Sequence, residues 1–152
     1  MAPINKWGPA TWTMFHAMAE NLKDDAFDKV SPQLFEWIKR ICATLPCPDC
    51  SQHAIAFLKT VKPHQIANKN DFRQMLCVFH NLVNRRKHRP AFPPQNLDMY
   101  KTTRVSPAIN EFLTHYNTTG NIKLMADAQQ RTHTVHQFKK FLISSWGAFD
   151  NW

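Results

Sequence analysis

"SPQLFEWIKRICATLPCPDCSQH", residues 31–53, is the stretch whose reading decides the fold. In its first half Leu34, Phe35, Ile38, Ile41, Cys42 and Leu45 recur at three- and four-residue spacing, the stripe of an amphipathic helix. Ser31 can cap that helix, Pro32 suits its first position, and Pro46 limits it. A further helix starts at or near Cys47 and runs to about Val61, with Ala54, Phe57, Leu58 and Val61 inward and Pro63 at its end. The Cys-Pro-Asp-Cys pair therefore falls at a corner between two helices. A thioredoxin-like setting needs strands around such a pair, and none can be read here.

The same period extends outward. In "PATWTMFHAMAENL", Trp12, Phe15, His16, Ala19 and Leu22 share one face, with Pro9 in the first turn. Another helix begins after Asn70 or Asp71, carries Phe72, Met75, Leu76, Phe79 and Val83 inward, and continues to about Lys87, before Pro90. "RPAFPPQN" is a proline-rich loop. Weaker helical patterns follow near Ser106–Tyr116, capped by Ser106, and near His133–Ser145, with "NTTGN" between them. Strand-like alternation is nowhere sustained, and no internal repeat is visible. The chain reads as all-α: a four-helix core in residues 1–100, then a helical extension, 101–152, packed on or flanking the same domain.

Composition bounds the function. The 152 residues fit one domain, and 43% hydrophobic content supports a real core. With only 3 glycines, the chain has no Gly-rich phosphate loop of the Rossmann or P-loop kind. A net charge of +8 permits a nucleic-acid or phosphate-bearing partner without requiring one. "MAPINKWGPA" lacks the charged start and apolar run of a signal peptide, and no stretch is apolar for long enough to span a bilayer. The expectation is a soluble protein of the cytosol, in which the acceptor-like "NTT" at Asn117 is fortuitous.

The 4 cysteines are Cys42, Cys47, Cys50 and Cys77. In a cytosolic chain they point to metal or redox chemistry more than to a disulfide scaffold. Cys42, Cys47, Cys50 and His53 spell C-x4-C-x2-C-x2-H, a set of soft ligands that zinc could take. Against zinc, Cys42 lies on the core stripe. A Cys-x2-Cys pair at a helix N-terminus also suits thiol chemistry, because the helix dipole and free N–H groups favour thiolate. In that reading Cys47 sits just outside the first turn, more exposed, and Cys50 within it. Two unrelated buried cysteines are the third reading. These residues leave all three open.

"HNLVNRRKHRP", residues 80–90, is the other unusual stretch. His80 and Asn84 share a helix face, with Asn81, Val83 and Lys87 nearby. Inward polar groups of this kind need partners, either each other or a planar polar ligand. The basic run Arg85, Arg86, Lys87, His88, Arg89 is a solvated helix end or the partner of a pyrophosphate.

"WGPATWTMFH", "LPCPDC" and "HNLVN", in that order, resemble the Erv/ALR family of FAD-dependent sulfhydryl oxidases over about residues 7 to 100, most closely its small viral members. The resemblance implies a four-helix bundle holding FAD, with a short fifth helix. Trp12 and His16 would line the flavin, with Trp7, Gly8 and Pro9 leading into it. Cys47 and Cys50 would be the redox pair, with Cys50 facing the ring. His80, Asn81, Val83 and Asn84 would contact the cofactor's ring and adenosine half. The family's Leu-Gly-Lys-Pro run reads Lys87, His88, Arg89, Pro90 here, so Arg89 would replace the lysine's charge beside Lys87. Tyr100 is the candidate to stack on the adenine. The family's partner for a cysteine equivalent to Cys77 falls at about Pro94, so that structural disulfide is missing; Cys42 and Cys77 then read as inert core thiols, or as a pair with each other if the second and fourth helices bring them close. The implied reaction oxidises protein dithiols to disulfides and passes the electrons to dioxygen, giving hydrogen peroxide. No second Cys-x2-Cys shuttle is present, so electrons would come directly from client proteins or from a partner thiol oxidoreductase. A homodimer, no membrane association, and action in host cytoplasm or the virion are the further expectations. The rival from another class is a small basic zinc-binding helical protein contacting nucleic acid.

Overall fold

The computed structural model describes residues 4–116 and 125–152, with side chains from 128 onward in the second segment. "NTTGN", with Asn117, lies outside the described residues. The α-helices are α1 (Ile4–Asn21), α2 (Phe27–Cys42), α3 (Pro48–Leu58), α4 (Lys69–Arg86), α5 (Val105–Tyr116) and α6 (Met125–Ser145). A 3-10 stretch, Pro94–Thr102, joins α4 to α5. Among the described residues the only strand-like pairing is an isolated antiparallel bridge between Leu22 and Phe149. The all-α class predicted from periodicity is the class found. Among the described residues no helix is long and apolar enough to cross a membrane.

Helix α1 is the central element, packed against α4, α5 and the 3-10 stretch, while α2 packs against α3 and α6. Met14 and Phe15 of α1, Leu34 and Ile38 of α2, Phe72 of α4, Phe112 of α5 and Phe138 of α6 belong to one continuous core. Residues beyond 103 therefore contribute to the same apolar interior as those before it.

Two helices start earlier than their prolines suggest. Pro9 and Pro32 stand inside α1 and α2, not at their first positions, and Ser31 is a buried helical residue and not a cap. Phe27 and Val30 carry the α2 stripe backward, and both are buried. Burying the two together is worth roughly 3–6 kcal/mol, enough to offset the roughly 3 kcal/mol that a proline inside a helix costs through its lost hydrogen bond and ring clash. The carbonyl that Pro32 orphans belongs to Asp28, an exposed residue that water can reach. Asn5 stands in the same relation to Pro9.

The start of α4 is capped by Asn68, whose Oδ1 accepts the Asp71 N–H at 2.9 Å. Its end is a Schellman turn. His88 takes φ 56°, its N–H donates to Arg85 O at 3.2 Å, and the Arg89 N–H reaches Asn84 O at 2.8 Å. That turn sends the chain back along the bundle, so Arg89 lies beside α4 rather than beyond it.

Candidate active site

The Cys-Pro-Asp-Cys corner is built by helix capping. Cys47 has extended backbone angles (φ −145°, ψ 103°) and is the N-cap of α3, with Pro48 following in the first turn. Its sulfur accepts the Cys50 N–H at 3.2 Å. Ser51 Oγ accepts the Leu45 N–H at 2.9 Å, tying the incoming loop to the same turn. Cys47 and Cys50 form a disulfide. The two sulfurs are unequal: Cys47 is half-buried, whereas Cys50 is 6% exposed. Cys42 and Cys77 are free and buried, and burial pushes both thiols up.

Cys50 faces a half-open cavity with about 540 Å³ of space between its atoms, the open mouth included. Trp7, Gly8, Thr11, Trp12 and Phe15 of α1 form one wall. Cys42, Leu45, Cys50 and Ala54 form the second; Phe79 and Val83 of α4 form the third. Arg86, Lys87 and Arg89 stand at the edge as cations. The lining is mostly apolar with positive charge at one side. Gly8 lacks a side chain without steric need: a Cβ there would meet only Ile4, at 3.9 Å. The glycine keeps space for whatever the cavity holds.

Behind Trp12 runs a column of stacked rings. His80 lies 4.2 Å from Trp12 with the planes 6° apart, and Phe92 lies 4.6 Å from His80. His16 stacks on Phe92 at 5.2 Å and on Tyr100 at 4.8 Å. His16 Nε2 and His80 Nδ1 share a hydrogen bond of 2.9 Å. Burial, then the neighbouring His80, lowers the His16 pKa to about 3; burial, then Arg89, lowers that of His80 to about 4. Both rings are neutral at neutral pH. His16 Nδ1 is buried with no hydrogen-bond partner. A flat heteroaromatic group with a polar edge would satisfy such an orphaned nitrogen.

The structure thus brings Trp7, Gly8, Trp12, Cys50, Val83, Lys87 and Arg89 to one cavity, and His16, His80 and Tyr100 to the adjoining column. Asn81 and Asn84 do different work. Asn81 Nδ2 donates to Phe92 O at 3.0 Å, and its Oδ1 accepts the Phe92 N–H at 2.6 Å. Asn84 is buried, and its backbone carbonyl closes the Schellman turn. Sequence reasoning missed Phe92, which only its place after the proline-containing turn could have signalled. It also left Arg86 in an undivided basic run. Arg86 Nη1 donates to Asp49 Oδ2 of the Cys-Pro-Asp-Cys motif at 2.9 Å, which ties α4 to α3 beside the disulfide.

The zinc reading loses its ligands. Two of the four are joined as a disulfide, Cys42 is buried among apolar groups, and His53 is exposed beside Asp49 at 3.6 Å. Among the described residues no three His, Cys, Asp or Glu side chains are placed to share a metal.

The profile of the Erv1 / Alr family matches residues 9–103, more than half of the chain. The chain belongs to the Erv1 / Alr family. It is 33% identical over 99 residues to the rice protein FAD-linked sulfhydryl oxidase ERV1, a match covering 64% of this chain and 50% of the rice protein. It is 34% identical over 83 residues to the FAD-linked sulfhydryl oxidase of African swine fever virus (isolate Tick/Malawi/Lil 20-1/1983), covering 55% of this chain and 69% of the viral protein. A similar relative in Arabidopsis thaliana is 30% identical over 98 residues, covering 63% of this chain and 51% of that relative. The chain thus spans about half the length of the plant relatives it matches. No solved structure matches it significantly. Family membership gives the corner disulfide, the apolar cavity and the ring column one common context.

Proposed function

We infer that this chain is an FAD-linked sulfhydryl oxidase that makes disulfides in protein dithiols. The observation that carries this reading is one covalent bond with two environments: Cys47 meets solvent while Cys50 lines the apolar cavity. The site residues fit FAD. The cavity offers a mostly apolar lining for a flat ring system against Cys50. The column of Trp12, His80, Phe92, His16 and Tyr100 offers stacking and one unsatisfied nitrogen for the adenine half. Lys87 and Arg89 offer charge to the diphosphate.

The chemistry follows from the exposure difference. A client thiolate attacks Cys47 Sγ, breaks the Cys47–Cys50 bond and leaves Cys50 as the thiolate. The client's second thiolate then attacks its own sulfur in the mixed disulfide and releases Cys47, so the client leaves oxidised and the pair is left as two thiols. The α3 N-terminus stabilises the Cys50 thiolate through its dipole and free N–H groups. FAD, when bound, supplies the acceptor for that electron pair and its delivery to dioxygen, which leaves as hydrogen peroxide. Client proteins or a partner oxidoreductase supply the thiols, and a homodimer acting in host cytoplasm or assembling virions completes the proposal.

Purified protein is expected to be yellow and to consume dioxygen when given dithiothreitol. Cys50→Ala should stay yellow and lose turnover by at least a hundredfold. Colourless wild-type protein, or a Cys50→Ala variant that still turns over, would sink the reading.

A further inference from the structure

The loop that leads into the redox pair is held by a helix outside the segment matching the family. Thr44 precedes Cys47 by three residues. Its hydroxyl is hydrogen-bonded to the hydroxyl of Tyr116, the last residue of α5. The family match ends at 103. Both residues are buried, Tyr116 completely. The Thr44 hydroxyl donates to Arg40 O at 3.3 Å. The Thr44–Tyr116 bond joins two hydroxyls, either of which can donate. One residue on, the Leu45 N–H donates to Ser51 Oγ, next to Cys50. Tyr116, Thr44, Leu45 and Ser51 thus form a continuous hydrogen-bonded and covalent run into the first turn of α3.

The Tyr116 ring is itself fixed. It stacks on Phe112 at 4.7 Å, Phe112 meets Phe138 of α6 edge-on, and Phe138 lies 5.4 Å from Trp37 of α2. Burial raises the Tyr116 pKa to about 12, against smaller lowering by Thr44 and Arg131, so the phenol keeps its proton in the working range.

We propose that Tyr116 is a positioning residue for the redox pair: its hydroxyl pins Thr44, and through it the path of the loop that holds the Cys47 and Cys50 sulfurs within bonding reach. Releasing that anchor lowers the effective concentration of each thiol for the other, so the disulfide becomes easier to reduce. This rests on the reading above that the pair cycles between disulfide and dithiol.

The test is an anaerobic redox titration of the full chain with reduced and oxidised dithiothreitol, followed by alkylation and mass analysis of the Cys47–Cys50 peptide. In this exchange the dithiol closes to its cyclic disulfide as the Cys47–Cys50 bond opens to two thiols. Tyr116→Phe keeps the ring and should shift the equilibrium at least threefold toward the reduced pair. Thr44→Val should shift it equally, Thr44→Ser should restore it, and the double variant should move it no further than either single one. Should Tyr116→Phe not fold, Thr44→Val against Thr44→Ser carries the same comparison. Lower unfolding stability with an unmoved redox equilibrium would overturn the proposal and leave Tyr116 a packing residue. A wild-type pair that exchanges with no thiol would instead overturn the oxidase reading itself.

Discussion

His88 closes the end of α4 with a φ of 56°, in the left-handed region that favours glycine. A side chain in the left-handed region costs about 1 kcal/mol relative to glycine. His88→Gly should raise stability by up to about 1 kcal/mol, less the extra entropy glycine has when unfolded; thermal unfolding that shows a marked loss would contradict the turn assignment. The histidine pair gives a second expectation. Folding lowers the pKa of His16 to about 3 and of His80 to about 4, from 6.5. A depressed histidine pKa means that the unfolded chain binds protons more readily. The stabilising contribution is therefore complete above pH 6.5 and is lost as pH falls toward 4 and 3. The slope reaches about 1.4 kcal/mol per pH unit for each histidine. Urea unfolding at pH 7, 6 and 5 checks it: the midpoint should fall steadily, and His80→Phe should lose about half of that fall. A flat profile from pH 7 to 5 would contradict the buried, neutral pair.

Among the elements, α4 organises the site. One face enters the core, its last turn supplies Arg86 to Asp49, and its Schellman end returns Arg89 to the cavity edge. Asn81 uses its amide as donor and acceptor to the backbone of Phe92, so the proline-rich loop is held on α4 as if by a short strand pairing. Asn81→Ala should cost about 1–3 kcal/mol and free Phe92 from the ring column. Retained stability together with an unchanged tryptophan emission spectrum would show that the loop is held some other way. The pattern of period 3.6 made α4 legible, because Phe72, Met75, Leu76 and Phe79 are all core residues. The same pattern could not show that the Asn81 amide meets the backbone of Phe92. Two inward asparagines look alike in sequence, and only the returning chain tells them apart.

At the scale of the whole molecule, Asn21 joins parts of the chain that are far apart in sequence. Its Nδ2 donates to Tyr100 O at 2.9 Å and Thr103 O at 3.2 Å, and its Oδ1 accepts from Asn151 Nδ2 at 2.8 Å. The carbonyls of Asn151 and Trp152 accept the Val105 and Ser106 N–H groups at the start of α5. The C-terminal segment thus caps α5 and closes on the end of α1. Glu20, the residue before Asn21, meets Arg73, and Arg73 meets Asp98 at 3.0 Å, beside the same junction. Asn21→Ala removes several hydrogen bonds at once, from a side chain that is itself buried, and should cost about 1–3 kcal/mol. If denaturant unfolding shows less than half a kcal/mol, the junction is not shared in this way.

The sequence by itself determined the all-α class, the inward stripes of α2, α3 and α4, the placing of Cys47 and Cys50 at a corner between two helices, and the family to which residues 9–103 belong. These follow from periodicity and from residue types whose chemistry is local. It misplaced the starts of α1 and α2, because a proline is a local signal whereas the burial of Phe27 and Val30 is a tertiary gain. Only the tertiary structure decided that Cys50 shares a cavity with Arg86 and Arg89, that Phe92 completes a ring column, and that Tyr116 reaches Thr44. Those pairings join residues on different elements, and no spacing along the chain encodes which helices will meet.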